Sequence, residues 1–228
     1  MADSRMADHR MTDSKKTKQT KVKICGLTRM EDIDALNRYR PDFAGFVFAP
    51  SRRQVSEELA MELRARLSAE ILVVGVFVNA PVEQIECLVA GKVIDMVQLH
   101  GTETPCDLEK LRMHLGRKVP LIKAVRMSTE TDLGIWDQSE ADYLLLDAVN
   151  AGAGKTFDHN LIDSHLPIQK PWFLAGGMNP ENAAAAIARF SPFGVDVSSG
   201  VETDGKKDPQ KIRRMIAAVR SHSSNSVI

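Results

Sequence analysis

A thiol, an imidazole and two carboxylates stand near the ends of short apolar runs in this chain: Cys25 in VKICGL (22–27), His100 in MVQLHG (96–101), Asp147 in YLLLDA (143–148) and Asp196 in FGVDVSS (193–199). A thiolate can abstract a proton, a carboxylic acid can donate one, and an imidazole can do either. Gly176 and Gly177 close the run WFLAGG (172–177), and the segment DVSSGVE (196–202) adds Ser198, Ser199 and Gly200. Loops of this kind hold phosphate on backbone amides and short helix N-termini. Turn glycines and helix caps would explain either motif alone, and the pair of motifs points to a phosphorylated ligand. The segment FAPSRRQVS (48–56) supplies Arg52 and Arg53. An arginine fork can grip a carboxylate with two parallel hydrogen bonds, although many surface arginines are simply solvated.

The elements that must position these groups are legible as a repeating pattern. Eight β-branched apolar runs alternate with segments of helical period: the five just given for residues 22–27, 96–101, 143–148, 172–177 and 193–199, together with FAGFVF (43–48), LVVGVFV (72–78) and LIKAVR (121–126). That alternation predicts βαβ units and a parallel sheet. Ser56, Asn79 and Asn179 mark helix starts. No dinucleotide glycine fingerprint follows the first strand, so a single-domain TIM (β/α)8 barrel is expected, with an open doubly wound sheet as the alternative. Side chains alternate between barrel interior and helix layer. With Cys25 inward, Lys23 is inward too, and Val22 and Ile24 face the helices. The same reading turns Gln98, His100, Asp147, Asp196 and Ser198 toward one mouth at the strand C-termini, where such barrels place their active sites.

Composition narrows the class further. The 228 residues carry no formal net charge, with 43% hydrophobic and 26% charged residues. That gives no global electrostatic footprint for nucleic acid or a membrane surface. Three cysteines, Cys25, Cys87 and Cys106, form neither a CxxC pair nor a disulfide framework, and a reducing cytoplasm is expected. Cys87 and Cys106 fall in helical segments, where burial as small hydrophobes is expected. No HExxH or acidic ladder is present, so no metal is expected. Residues 1–20, which reiterate MADSR, MADHR and MTDSK, read as a flexible, disordered N-terminal extension, residues 21–222 as the catalytic domain and residues 223–228 as a C-terminal tail. AGAGKT (151–156) lacks the spacing of a Walker loop. It reads either as a cover for the site involving Gly152, Gly154 and Lys155 or as a plain surface loop.

In order along residues 21–220, the segments KICGLTR, GFVFAPSRRQVS, VGVFVN, VQLHG, LLLDA, GKTFD, LAGGMNPEN and DVSSGVE resemble those of phosphoribosylanthranilate isomerases. The resemblance implies an Amadori rearrangement in tryptophan biosynthesis, without metal or organic cofactor, on a small phosphorylated substrate, by a monomer or homodimer. It implies that Cys25 is the general base and Asp147 the general acid. Arg53 matches the arginine facing the substrate carboxylate, and Gly176, Gly177, Ser198, Ser199 and Gly200 match the phosphate site. His100 and Asp196 are assigned to orienting the substrate or the reactive groups. The sixth loop reads AGAGK where the family usually has a fuller glycine pattern. A different phosphosugar isomerase or epimerase, or a barrel that binds without catalysis, are the rival readings. The first would not require Cys25, and intact acid, base and phosphate residues speak against the second.

Overall fold

The computed structural model describes residues 19–224 except 129, 148–161 and 164. Eight parallel strands close into a barrel in chain order: β1 (Lys21–Cys25), β2 (Phe43–Val47), β3 (Leu72–Phe77), β4 (Met96–Leu99), β5 (Leu121–Arg126), β6 (Tyr143–Asp147), β7 (Trp172–Ala175) and β8 (Gly194–Val197). The ring closes where β8 pairs β1 with Lys23 opposite Asp196. The open-sheet alternative is thereby excluded. Most expected strands ran one or two residues too far at the C-terminal end. There the apolar run continues into loop residues that belong to the mouth, such as His100 and Gly176.

Around the barrel lie α1 (Met30–Tyr39), α2 (Glu57–Arg66), α3 (Val82–Ala90), α4 (Pro105–Leu115), α5 (Leu133–Asp137), α6 (Ala183–Phe190) and α7 (Pro209–Ser224). Of the helix expected after β6, only Ile162 and Asp163 fall among the described residues. Ser56 caps α2 as expected, accepting from the Leu59 amide at 3.2 Å. Asn79 and Asn179 do not cap helices. Asn79 accepts from the Thr102 amide, and Asn179 accepts from the amides of Glu181 and Asn182 in a turn that precedes α6. In both cases a proline and one or two more residues separate the asparagine from the helix, so its side chain bonds within the loop instead. Cys87 and Cys106 are exposed, correcting their expected burial, because each lies on the solvent face of its helix.

The barrel interior is apolar at its base. Phe43, Phe173, Tyr143 and Phe193 stack edge to face and tilted, with ring centroids 5.0–5.9 Å apart. Val74, Met96, Ile122, Ala124 and Leu145 fill the next layers. Toward the C-terminal ends the inward positions become polar. Inward positions recur at every second residue, as the pleat requires, so Gln98 follows Met96 and Asp147 follows Leu145 on the interior face.

A recurrent device fixes the base. Asp42, Asp95 and Asp142 each directly precede an even-numbered strand, and each carboxylate accepts from the first or second amide of the strand before it: Val22, Val73 and Leu121, at 2.7–2.9 Å. Each also pairs with a cation, namely Lys21, Arg64 and Arg112 respectively. These charge-assisted bonds lock β1 to β2, β3 to β4 and β5 to β6 in register. No corresponding aspartate precedes β8. Among the described residues no helix is long and apolar enough to cross a membrane.

Candidate active site

At the C-terminal ends of the strands the fold leaves a cavity of about 400 Å³. Its wall brings together Cys25, Arg53, His100, Asp147, Asp196, Gly176, Gly177, Ser198 and Ser199. Gly200 sits behind this wall in the short 3-10 turn Ser199–Val201, with its Cα against the Met178 carbonyl. Gly152, Gly154 and Lys155 lie outside the described residues. No group of three or more His, Cys, Asp or Glu side chains among the described residues is arranged to hold a metal.

Cys25 ends β1 with its side chain in the cavity wall, and the neighbouring strand gives it room. A Cβ on Gly45, its register partner, would fall 2.7 Å from Cys25 Sγ. Two residues earlier on the same face, Lys23 is fully buried and its Nζ lies 2.9 Å from Asp196 Oδ1. Ser198 Oγ donates to the Cys25 carbonyl at 3.0 Å, tying β8 to the end of β1. Burial pushes the Cys25 thiol upward, as does Asp196, while the ammonium groups of Lys23 and Lys207 pull it down.

Next to this cluster the chain forms a small hairpin, β9 (Glu202–Thr203) and β10 (Lys206–Lys207). Its Glu202 is the carboxylate that Arg53 grips: Arg53 Nε and Nη2 donate to it at 2.7 and 3.0 Å, and Arg52 Nη2 adds a third bond at 2.7 Å. Lys207 Nζ donates to the same carboxylate at 2.7 Å and to the Ser198 carbonyl at 2.9 Å. Burial alone would raise Glu202, but the hydrogen bonds and charges of Arg53 and Lys207 hold it at about 2. Lys207 itself is pushed down by burial, against the pull of Glu202. Glu202 and Lys207 were not singled out from the sequence. The basic GKKD turn that follows DVSSGVE was the available signal.

Across the mouth, His100 Nε2 approaches Asp147 Oδ2 at 3.7 Å. Buried Gln98 sets the ring, its Nε2 lying 2.8 Å from His100 Nδ1. With the amide donating, Nδ1 accepts and the ring proton sits on Nε2, facing Asp147. Gln98 Oε1 is buried without a hydrogen-bond partner among the described residues. On the β7 side, Gly176 and Gly177 have φ of 91° and 65°, a conformation that disfavours side chains. Asn182 Nδ2 donates to the Gly177 carbonyl at 3.0 Å and helps to hold this turn.

The arrangement therefore combines a thiol, an imidazole, a carboxylate and a glycine turn at one mouth of a (β/α)8 barrel, groups able to give and take protons. A family model described as N-(5'-phosphoribosyl)anthranilate (PRA) isomerase matches residues 22–218. The N-(5'-phosphoribosyl)anthranilate isomerase of Acetivibrio thermocellus is 49% identical over 209 residues, covering 88% of this chain and 96% of that protein. The crystal structure of phosphoribosyl anthranilate isomerase from Thermotoga maritima superposes with a TM-score of 0.78 at 38% identity, covering 89% of this chain and 99% of that one. A phosphoribosyl anthranilate isomerase in complex with reduced 1-(o-carboxyphenylamino)-1-deoxyribulose 5-phosphate superposes with a TM-score of 0.76 at 37% identity, over 89% of this chain and 99% of that one. The chain belongs to the phosphoribosylanthranilate isomerase family, whose members are isomerases of tryptophan biosynthesis.

Proposed function

We propose that this chain converts N-(5-phosphoribosyl)anthranilate into 1-(2-carboxyphenylamino)-1-deoxyribulose 5-phosphate, with Asp147 as general acid and Cys25 as general base. The observation that carries this reading is that the two groups, from β6 and β1, line one cavity. Asp147 gives a proton to the ribose ring oxygen as the C1′–O bond breaks and the anilino nitrogen supplies the electrons, leaving an iminium. The Cys25 thiolate then removes the hydrogen on C2′; the C–H electron pair forms the C1′=C2′ double bond and the π pair of the iminium returns to nitrogen, giving an aminoenol. Loss of the C2′ hydroxyl proton and protonation at C1′ complete the ketose.

The glycine turn at Gly176 and Gly177, with Ser198, Ser199 and Gly200, holds the substrate phosphate on this reading, and the positive φ values of the two glycines support it. Arg53 meets the anthranilate carboxylate by redirecting its fork from Glu202 or by using its remaining nitrogen, since two of its donors are already engaged. His100, aimed at Asp147 by Gln98, supports the acid, and Asp196 supports the base through Lys23. Two exposed thiols, Cys87 and Cys106, suit a reducing cytoplasm.

The test is turnover by the purified chain, followed as the loss of substrate fluorescence with the labile substrate generated in place. Cys25→Ser and Asp147→Asn are expected to abolish it with unchanged circular dichroism. Retained turnover in either folded variant overturns the assignment of roles.

A further inference from the structure

A lysine in the interior of a (β/α)8 barrel is out of place, because those layers are normally filled by branched apolar side chains. Lys23 is fully buried and has no wall position in the cavity. A merely stabilising role explains it poorly. Taking a lysine and an aspartate out of water costs several kcal/mol per ion, and well-packed apolar residues replace such pairs at little loss or with a gain. The position does have a consequence for its neighbour. Lys23 and Cys25 are two residues apart on one strand, so their side chains share the interior face, and Asp196 anchors the ammonium from β8 at 2.9 Å. Gly45, opposite Cys25, contributes no side chain that would separate them.

We infer that Lys23 is a positioning residue for the reaction, a buried ammonium fixed by Asp196 beneath Cys25 so that the sulfur works as one half of a thiolate–ammonium pair rather than as an isolated buried anion. This rests on the assignment of Cys25 as base. Lys23 stays protonated throughout: Asp196 and Cys25 raise it, against the opposing effect of burial. It neither gives nor takes a proton. The sulfur alone cycles, leaving as thiolate, returning as thiol with the C2′ hydrogen, and releasing that proton to water. The charged groups that face the sulfur are Lys23 on β1, Asp196 on β8 and Lys207 on β10, with His100 and Asp147 lining the far side of the cavity. Of these, Lys23 has the largest effect on the thiol after burial itself, and it opposes burial.

The experiment reads the thiol directly. In a full-length Cys87→Ala/Cys106→Ala background Cys25 is the one remaining cysteine, and its alkylation by iodoacetamide is followed against pH. Lys23→Met is expected to move the midpoint of that profile upward by about 1 to 3 pH units, the effect of an opposite charge a few ångströms away. The rising limb of kcat/KM should move with it, while KM stays unchanged. Because Lys23→Met strands a carboxylate, the double variant Lys23→Met/Asp196→Asn, which removes both charges, is measured alongside and is expected to shift in the same direction by less. A folded variant whose alkylation midpoint stays with the parent overturns the inference and assigns Lys23 to neutralising Asp196 alone. Failure of the catalytic assignment would show separately, as turnover by Cys25→Ser, without affecting the alkylation result.

Discussion

The two sides of the barrel mouth are built differently. On the β8–β1–β2 side, Lys23, Asp196, Lys207, Glu202 and Arg53 form ion pairs at 2.7–2.9 Å around Cys25, and β8 is bonded to the end of β1 through Ser198. On the β4–β6 side, His100 and Asp147 approach at 3.7 Å, beyond hydrogen-bond distance, and the ring is set from behind by one amide. The thiol side thus has its charges in place before substrate arrives, whereas the closest contact between the imidazole and the carboxylate still has to tighten for a proton to be shared. Preorganisation of fixed charges lowers the reorganisation needed during reaction, so the two sides should respond differently to perturbation.

The largest expected effect concerns the thiol side and is set by pH. Burial raises the Cys25 thiol above its ordinary value, so the thiolate is the minor form at neutrality. Its population, and the limb of kcat/KM that depends on it, should rise about tenfold per pH unit until the thiol is titrated. A flat profile through neutral pH would show that the thiol is not the group that must be deprotonated. Next, Glu202→Gln should lower stability at neutral pH by about 2 kcal/mol, allowing for partial solvent screening, as read by denaturant or thermal unfolding. The sign follows from its depressed value: the contribution is present above the ordinary value of 4.5 and disappears as the pH falls toward about 2. The variant's stability should therefore vary less with pH across that window than the parent's.

On the other side, Gln98→Leu should lower kcat by about tenfold with less change in KM, because it frees the ring that faces Asp147. A KM effect without a kcat effect would mean that Gln98 touches substrate instead. The smallest expected effect is that of Ser198→Ala, about 1 kcal/mol in stability, since it deletes the partly buried hydrogen bond to the Cys25 carbonyl and a long one from Lys207 at 3.4 Å.

These expectations rest on features that the sequence displayed unequally. Inward and outward positions followed from alternation alone, which placed Lys23 and Asp196 on the interior face near Cys25 and Gln98 on the interior face across the mouth. The strand ends did not, because apolar residues and glycines continue from strand into loop with no change of composition, as in WFLAGG. The Arg53–Glu202 grip joins residues 149 positions apart in sequence, and no local pattern announces such a pairing. The hairpin of β9 and β10 has two residues in each strand, too short for periodicity to register. Cys87 and Cys106 are exposed although their residue type favours burial, because burial in a helix depends on which face a residue occupies.

The carboxylate staples at Asp42, Asp95 and Asp142 divide the wall into strand pairs, each locked within itself. The junction between α2 and β3, which contains the exposed Glu70, falls between two such units and parts neither carboxylate–amide bond, while the Arg64–Asp95 ion pair spans it. A chain divided there would give two pieces that each keep their own register marks. For engineering by fragment reassembly or circular permutation, that junction is the natural place for a cut.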